Sequence, residues 1–171
     1  MGKKIIVLSG KQFSGKDTVA KFLLEFLPEY KRIGLGDAIK IEYGKQKGLT
    51  FEEIEKNKPQ YRADLIALGD WGRAQDPDYW LKRIIEQENN VIVPDLRMPH
   101  ELKIFKEHNA ISIRVEAPRE NRALRGELVK EDDPTETLLD SITDWDYVVQ
   151  NNGTLEELRE KAFELAKKLK I

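Results

Sequence analysis

Two kinds of apolar spacing alternate along this chain. Short unbroken runs, 5–8 and 91–93, have the length and β-branched content of buried strands. Residues 110–115 alternate as a third clear strand, and 30–33 and 146–149 are shorter candidates. Between them the apolar positions recur every three or four residues, as in Val19, Phe22, Leu23, Phe26 and Leu27, the pattern of a helix buried on one side. Helices are predicted over 37–47, closed by Gly48, and from Thr50, whose spacing to Glu53 is that of a capping box. Further helices are predicted over 60–74, 77–87, 99–108, 119–127 and 154–170, with 131–140 read as an acidic loop.

Strands that alternate with helices predict an α/β fold of three layers: a central parallel sheet of about five strands, covered on both faces. Ligands then bind at the carboxyl ends of the strands. The 171 residues suit one domain, 1–171, with a single sizeable core. A net charge of −2 argues against a protein that coats nucleic acid, so any basic site must be a local cluster. Without cysteine there is no disulfide framework, thiolate metal site or cysteine nucleophile. No apolar run approaches the roughly 20 residues of a bilayer span, and the opening residues read as a core strand rather than a signal peptide. The expectation is a cytoplasmic protein without membrane or nucleic-acid partners, monomeric or homodimeric.

Chemistry enters where the first strand empties into SGKQFSGKDT. Gly10, four residues, Gly15 and Lys16 have the spacing of a Walker A phosphate loop, in which small residues let successive backbone N–H groups converge on an anion at a helix N-terminus. A strand before and an amphipathic helix after supply the required context. One position departs from the motif: Asp17 stands where Ser or Thr ordinarily ligates Mg²⁺, and Thr18 follows. A carboxylate can hold that hard cation directly or through water, and an acidic residue also suits the first turn of a helix.

Other candidates follow predicted strands and so gather on the same rim. Asp95 closes VIVPD, where an acidic group can hold Mg²⁺ through water, and Arg97 follows it, able to grip a phosphate bidentately. Arg119, Arg122 and Arg125 recur at helical spacing, either as a mobile lid that stabilises spreading negative charge or as a solvated face paired with Glu120, Glu127 and Glu131. Lys40, Lys58, Arg62 and Arg73 are cations of the helical middle third that could hold an anionic acceptor, although the surface is the commoner place for each taken singly. Trp71, Tyr79 and Trp80 flank QDPDYW. Core packing is the commoner fate of such rings, and Trp80 is retained as a candidate for stacking on a substrate base. The segment NKPQ, 57–60, begins like a guanine-reading motif but lacks its Asp.

The loop SGKQFSGKDT, the segment YRADLIALGDWGRAQDPDYW, the turn VIVPDLRMPHE and the ending DWDYVVQNNGTLEEL resemble the phage and bacterial deoxynucleoside monophosphate kinases. Animal-type phosphomevalonate kinase is similar over much the same span. Both families carry Gly-Lys-Asp in the loop and use ATP and Mg²⁺ to phosphorylate an existing phosphate monoester. The resemblance implies a P-loop NTPase fold of nucleoside monophosphate kinase type, with an acceptor-binding helical region at about 36–88 and a short arginine-bearing lid at about 118–140. It implies ATP contacts from Gly10, Lys11, Ser14, Gly15, Lys16, Asp17, Thr18 and Arg122, and catalytic roles for Lys16, Asp17, Arg122 and Arg125. Asp17 and Asp95 would hold the metal, and Lys40, Lys58, Arg62, Arg73, Trp80, Asp95 and Arg97 the acceptor. GLGDAIKIEYGKQKGLTF, together with Arg114, Arg122 and Arg125 in RVEAPRENRALRG, speaks for phosphomevalonate kinase. Gln12, Phe13 and Met98 stand where that family has basic residues, and DPDYW looks more like the nucleotide kinases. The expected acceptor is therefore a (deoxy)nucleoside monophosphate, with phosphomevalonate the alternative. A nucleotide-binding switch that is not a kinase is the rival from another class.

Overall fold

The computed structural model describes residues 3–170. The chain divides into two compact units, one running to Arg32 and resuming at Asn89, the other spanning Ile33–Glu88.

The first unit is built on a parallel five-stranded sheet of order β2-β3-β1-β4-β5. Its strands are β1 (Ile5–Ser9), β2 (Tyr30–Arg32), β3 (Asn90–Val93), β4 (Ile111–Glu116) and β5 (Tyr147–Gln150). The first strand of the chain lies at the centre, with Val7 opposite Val93 on one side and Ser9 opposite Arg114 on the other. Being covered on both faces, β1 reads as an unbroken apolar run. Ile6 and Leu8 join a cluster with Val19 and Leu23 of α1 (Lys16–Phe26) and Leu158, Ala162 and Leu165 of α9 (Leu155–Leu169). The pleat turns Ile5 and Val7 to the other face, where α6 (Pro99–Glu107) touches β1 and β4 and buries Leu102 and Phe105.

Between β4 and β5 lie α7 (Arg119–Arg125) and α8 (Pro134–Thr137). The second corrects the reading of 131–140 as plain loop. Asp133 caps it, its side chain accepting from the Thr135 N–H, and Pro134 occupies the first helical position, a start signal that the surrounding charge obscures.

The second unit is all helical: α2 (Asp37–Lys47), α3 (Phe51–Lys56), α4 (Lys58–Gln75) and α5 (Tyr79–Glu86). Gly48 ends α2 at φ 69°, and Thr50 and Glu53 form the capping box their spacing predicts. Ile33, Tyr43, Ile54, Trp80, Leu81 and Ile84 are its buried apolar side chains of larger size. Trp80, expected as a substrate contact, is 5% exposed, and its indole N–H donates to the Gly69 carbonyl at 3.1 Å. The ring is a core residue with its polar atom satisfied, which removes it from the substrate candidates. Among the described residues, no helix is long and apolar enough to cross a membrane.

Candidate active site

The loop between β1 and α1 has the conformation that anion binding demands. Gly15 sits at φ 101° and Phe13 at φ 59°, two left-handed residues that turn successive N–H groups inward. The turn is closed by Ser14 N–H on the Lys11 carbonyl at 3.0 Å, and α1 begins with Val19 N–H on Gly15 O at 2.9 Å. A Cβ at Gly10 would lie 2.8 Å from the Val115 carbonyl and collide with the Ser14 hydroxyl, so only glycine permits the strand to leave the sheet at this angle.

Two residues brace the loop from below. Asn151, just past β5, donates from its carboxamide to the Ser14 carbonyl at 2.8 Å, while its own N–H is held by Glu116 O at 2.7 Å. Arg114, buried in β4, donates to Ser9 Oγ at 2.7 Å and to the Asp140 carboxylate at 3.1 Å. Asp140 also takes the Lys11 ammonium at 2.8 Å. Asn151 and Asp140 escape sequence reasoning, the one within a polar turn and the other in an acidic run. Position past the end of a sheet strand is the signal that marks Asn151.

Lys16, Asp17, Gly15, Thr18, Lys11 and Arg125 line one cavity of about 540 Å³ beside the loop. The Lys16 ammonium lies 3.9 Å from the Asp17 carboxylate, with 15% of its side chain exposed against 72% for Asp17. A second cavity, of about 360 Å³, is lined by Ser14, Lys11, Arg114, Arg122 and Asp140. The Ser14 hydroxyl is buried with no hydrogen-bond partner among the described residues, a polar atom that a ligand would satisfy.

The strand-end turn runs alongside, because Leu96 N–H donates to Leu8 O at 3.1 Å. This sets Asp95 at the carboxyl end of the sheet. Glu101 caps the turn through the N–H groups of Arg97 and Met98, at 3.1 and 2.9 Å, and burial pushes its carboxyl above the ordinary range. The Arg97 side chain is exposed. Its charge adds a little to the Thr135 hydrogen bonds that hold the Asp133 carboxyl below its ordinary value.

The three arginines of α7 divide between the two readings. Arg119 is a solvated pair, bidentate on Glu131 at 2.9 Å. Arg122 is buried, with Nε on Ala117 O at 3.2 Å and a longer contact to Gln12 O at 3.5 Å. Arg125 bonds the carbonyls of Phe13 at 2.8 Å and Asn151 at 2.9 Å. Both are seated on the phosphate loop itself, Arg122 buried and Arg125 exposed to solvent.

In the helical unit, Lys40, Lys58, Arg62 and Arg73 line a single cavity of about 530 Å³ whose wall is otherwise aliphatic, chiefly Ile39 and Leu65. Glu55 bridges two of these cations, at 2.6 Å from Lys40 and 3.1 Å from Lys58, and the Lys40 hydrogen bond is the main cause of its lowered pKa. Arg73 pairs with Asp70 at 3.0 Å. No aromatic side chain is among those lining this cavity. Among the described residues no three His, Cys, Asp or Glu side chains gather into a metal site. An exposed carboxylate such as Asp17 suits Mg²⁺, which keeps several waters and takes one or two carboxylates with substrate phosphates.

The model of the phosphomevalonate kinase family matches residues 8–111, and that of deoxynucleotide monophosphate kinase matches 70–162. The chain belongs to these P-loop kinase families. A phosphomevalonate kinase of Drosophila melanogaster is 29% identical to this kinase over 180 residues, which cover 95% of the present chain and 94% of the relative. Among solved structures, a gluconokinase from Sinorhizobium meliloti 1021 superposes with a TM-score of 0.56 at 18% identity, covering 98% of this kinase and 93% of its own chain. Shikimate kinase from Aquifex aeolicus vf5 gives 0.52 at 20% identity, with 96% and 97% covered. These two establish the shared fold of the kinase and nothing finer.

Proposed function

We propose that this kinase transfers the γ-phosphoryl group of ATP to the phosphate of a small phosphorylated acceptor, and that the acceptor is phosphomevalonate. Amides of the loop and the Lys16 ammonium would cradle the β- and γ-phosphates, with Arg122 and Arg125 adding charge where it spreads in the transition state. Asp17, with Asp95, would hold Mg²⁺, which when bound neutralises the phosphate oxygens. Arg62, Arg73, Lys40 and Lys58 would hold the acceptor, with Arg97 a further candidate. A monoester phosphate is largely ionised near neutral pH, its second pKa being about 6, so positioning and charge neutralisation carry the reaction and no general base is assigned.

The observation that carries the choice of acceptor is the cavity of the helical unit. Four cations around an aliphatic wall suit a flexible chain with a phosphate at one end and a carboxylate at the other. Trp80, the candidate for stacking on a base, is in the core. A nucleoside monophosphate is the second reading, favoured by the deoxynucleotide monophosphate kinase match over 70–162.

The deciding experiment supplies ATP and Mg²⁺ with phosphomevalonate, with each common nucleoside monophosphate, and with no acceptor, while following ADP. ADP release dependent on phosphomevalonate is expected. Release dependent on a nucleoside monophosphate instead selects the second reading, and slow release indifferent to acceptor would indicate a switch. Arg62→Ala should raise the acceptor KM about 10–100-fold, the worth of one or two charge-assisted hydrogen bonds, and leave the ATP KM within about twofold. Initial rates against acceptor concentration test this, and an unchanged acceptor KM would remove Arg62 from the site.

A further inference from the structure

Gln12 and Phe13 are the two loop residues to which the proposed reaction assigns nothing, yet both contact the segment after α7, Phe13 while 43% exposed. The Gln12 carboxamide donates from Nε2 to the Val129 carbonyl at 2.5 Å and accepts at Oε1 from the Val129 N–H at 3.1 Å. One side chain thus pairs both polar groups of a main-chain residue 117 positions away, as a neighbouring strand would. Next to it, Phe13 adopts φ 59°, a conformation that bulky residues avoid, and its ring lies where any side chain at Gly126 would be. Around this pair, Gln12 N–H donates to the Glu136 carboxylate at 3.2 Å and Lys11 to the Glu136 carbonyl at 3.1 Å. The Phe13 carbonyl receives Arg125 at 2.8 Å.

The geometry points to Gln12 and Phe13 as positioning residues: a clasp that seats segment 126–136 on the phosphate loop. Its consequence is that the Arg125 guanidinium, and Arg122 beside it, are fixed on the loop's rim by the protein's own contacts. Charge stabilisation placed in advance acts on the rate of the chemical step rather than on ground-state binding, because no reorganisation is left to perform. The clasp goes beyond the acceptor assignment and does not depend on it.

The test is Gln12→Leu, which keeps the bulk and removes both hydrogen bonds, alongside Gln12→Glu, which keeps only the accepting half. Gln12 and Val129 are exposed partners, so protection of the β1 and β4 amides reports an intact fold in each variant. In hydrogen exchange without ligands, the amides of 127–137 should exchange about tenfold faster in Gln12→Leu and at least as fast in Gln12→Glu, whose second oxygen would oppose the Val129 carbonyl. With whichever acceptor the panel identifies, kcat should fall about tenfold while the ATP KM stays within about twofold. Unchanged exchange over 127–137 would overturn the clasp, as would a rise in ATP KM at constant kcat, which would make Gln12 a nucleotide contact. The exchange arm uses no substrate, so its failure and that of the acceptor assignment are separately visible.

Discussion

Replacing Lys16 by alanine should reduce kcat by about 10³-fold or more, with the folded state unaltered. The ammonium is the point charge that would follow the γ-phosphoryl group as it passes between oxygens, and neither loop amides nor a guanidinium seated on carbonyls can take its place. Structurally the substitution is mild. Lys16 lies in the first turn of α1, where alanine is the best helix former, and its ion pair is with an Asp17 carboxylate that is mostly in water. The thermal midpoint should therefore move by no more than a few degrees, about what a change of under 1 kcal/mol produces. Steady-state kinetics and a melting curve on the same preparation check both halves. Turnover within tenfold of the parent enzyme would remove Lys16 from the chemistry and with it the assignment of this loop.

Gly15→Ala should have the opposite character, striking the scaffold and the function together. At φ 101° an L-residue costs roughly 1–2 kcal/mol that glycine avoids. The added methyl also lands on the Asn151 carboxamide nitrogen. Driving that group from the Ser14 carbonyl leaves a buried acceptor unpaired, at a cost of about 1–3 kcal/mol. A loss of about 2–5 kcal/mol is expected in urea titration, together with loss of measurable ATP binding by calorimetry, because the amides no longer converge. ATP affinity equal to that of the parent would show that the left-handed turn is dispensable.

Much of this arrangement could be read from residue order. Strands β1, β3 and β4 are buried on both faces and so appear as unbroken or alternating apolar runs, and the phosphate loop is a local motif whose function lies in its own backbone. The resemblance to phosphate-monoester kinases, rather than any spacing, singled out Lys40, Lys58, Arg62 and Arg73, four residues that one cavity of the helical unit brings together. Trp80 was misread because a tryptophan beside a Pro-Asp turn looks the same whether its indole meets a ligand or the Gly69 carbonyl, and only tertiary packing separates the two. The α8 turn was hidden by its charge. Asn151, Asp140 and the Gln12 clasp were illegible for a different reason: each acts on a partner tens of residues away or more, and no local spacing encodes such a pair.

The phosphate loop is written near the beginning of the chain but is braced by Asn151, close to its end, and β1 has neighbours only after β3 and β4 exist. During synthesis the emerging polypeptide carries its nucleotide grip in an unfinished state until Asn151 and the strands before it have left the ribosome. A stalled nascent chain ending at Gln150 should retain no ATP in a filter-binding assay, whereas the full-length chain released from the same ribosomes should. Catalytic competence would then arrive all at once, when the last strand of the sheet joins its neighbours.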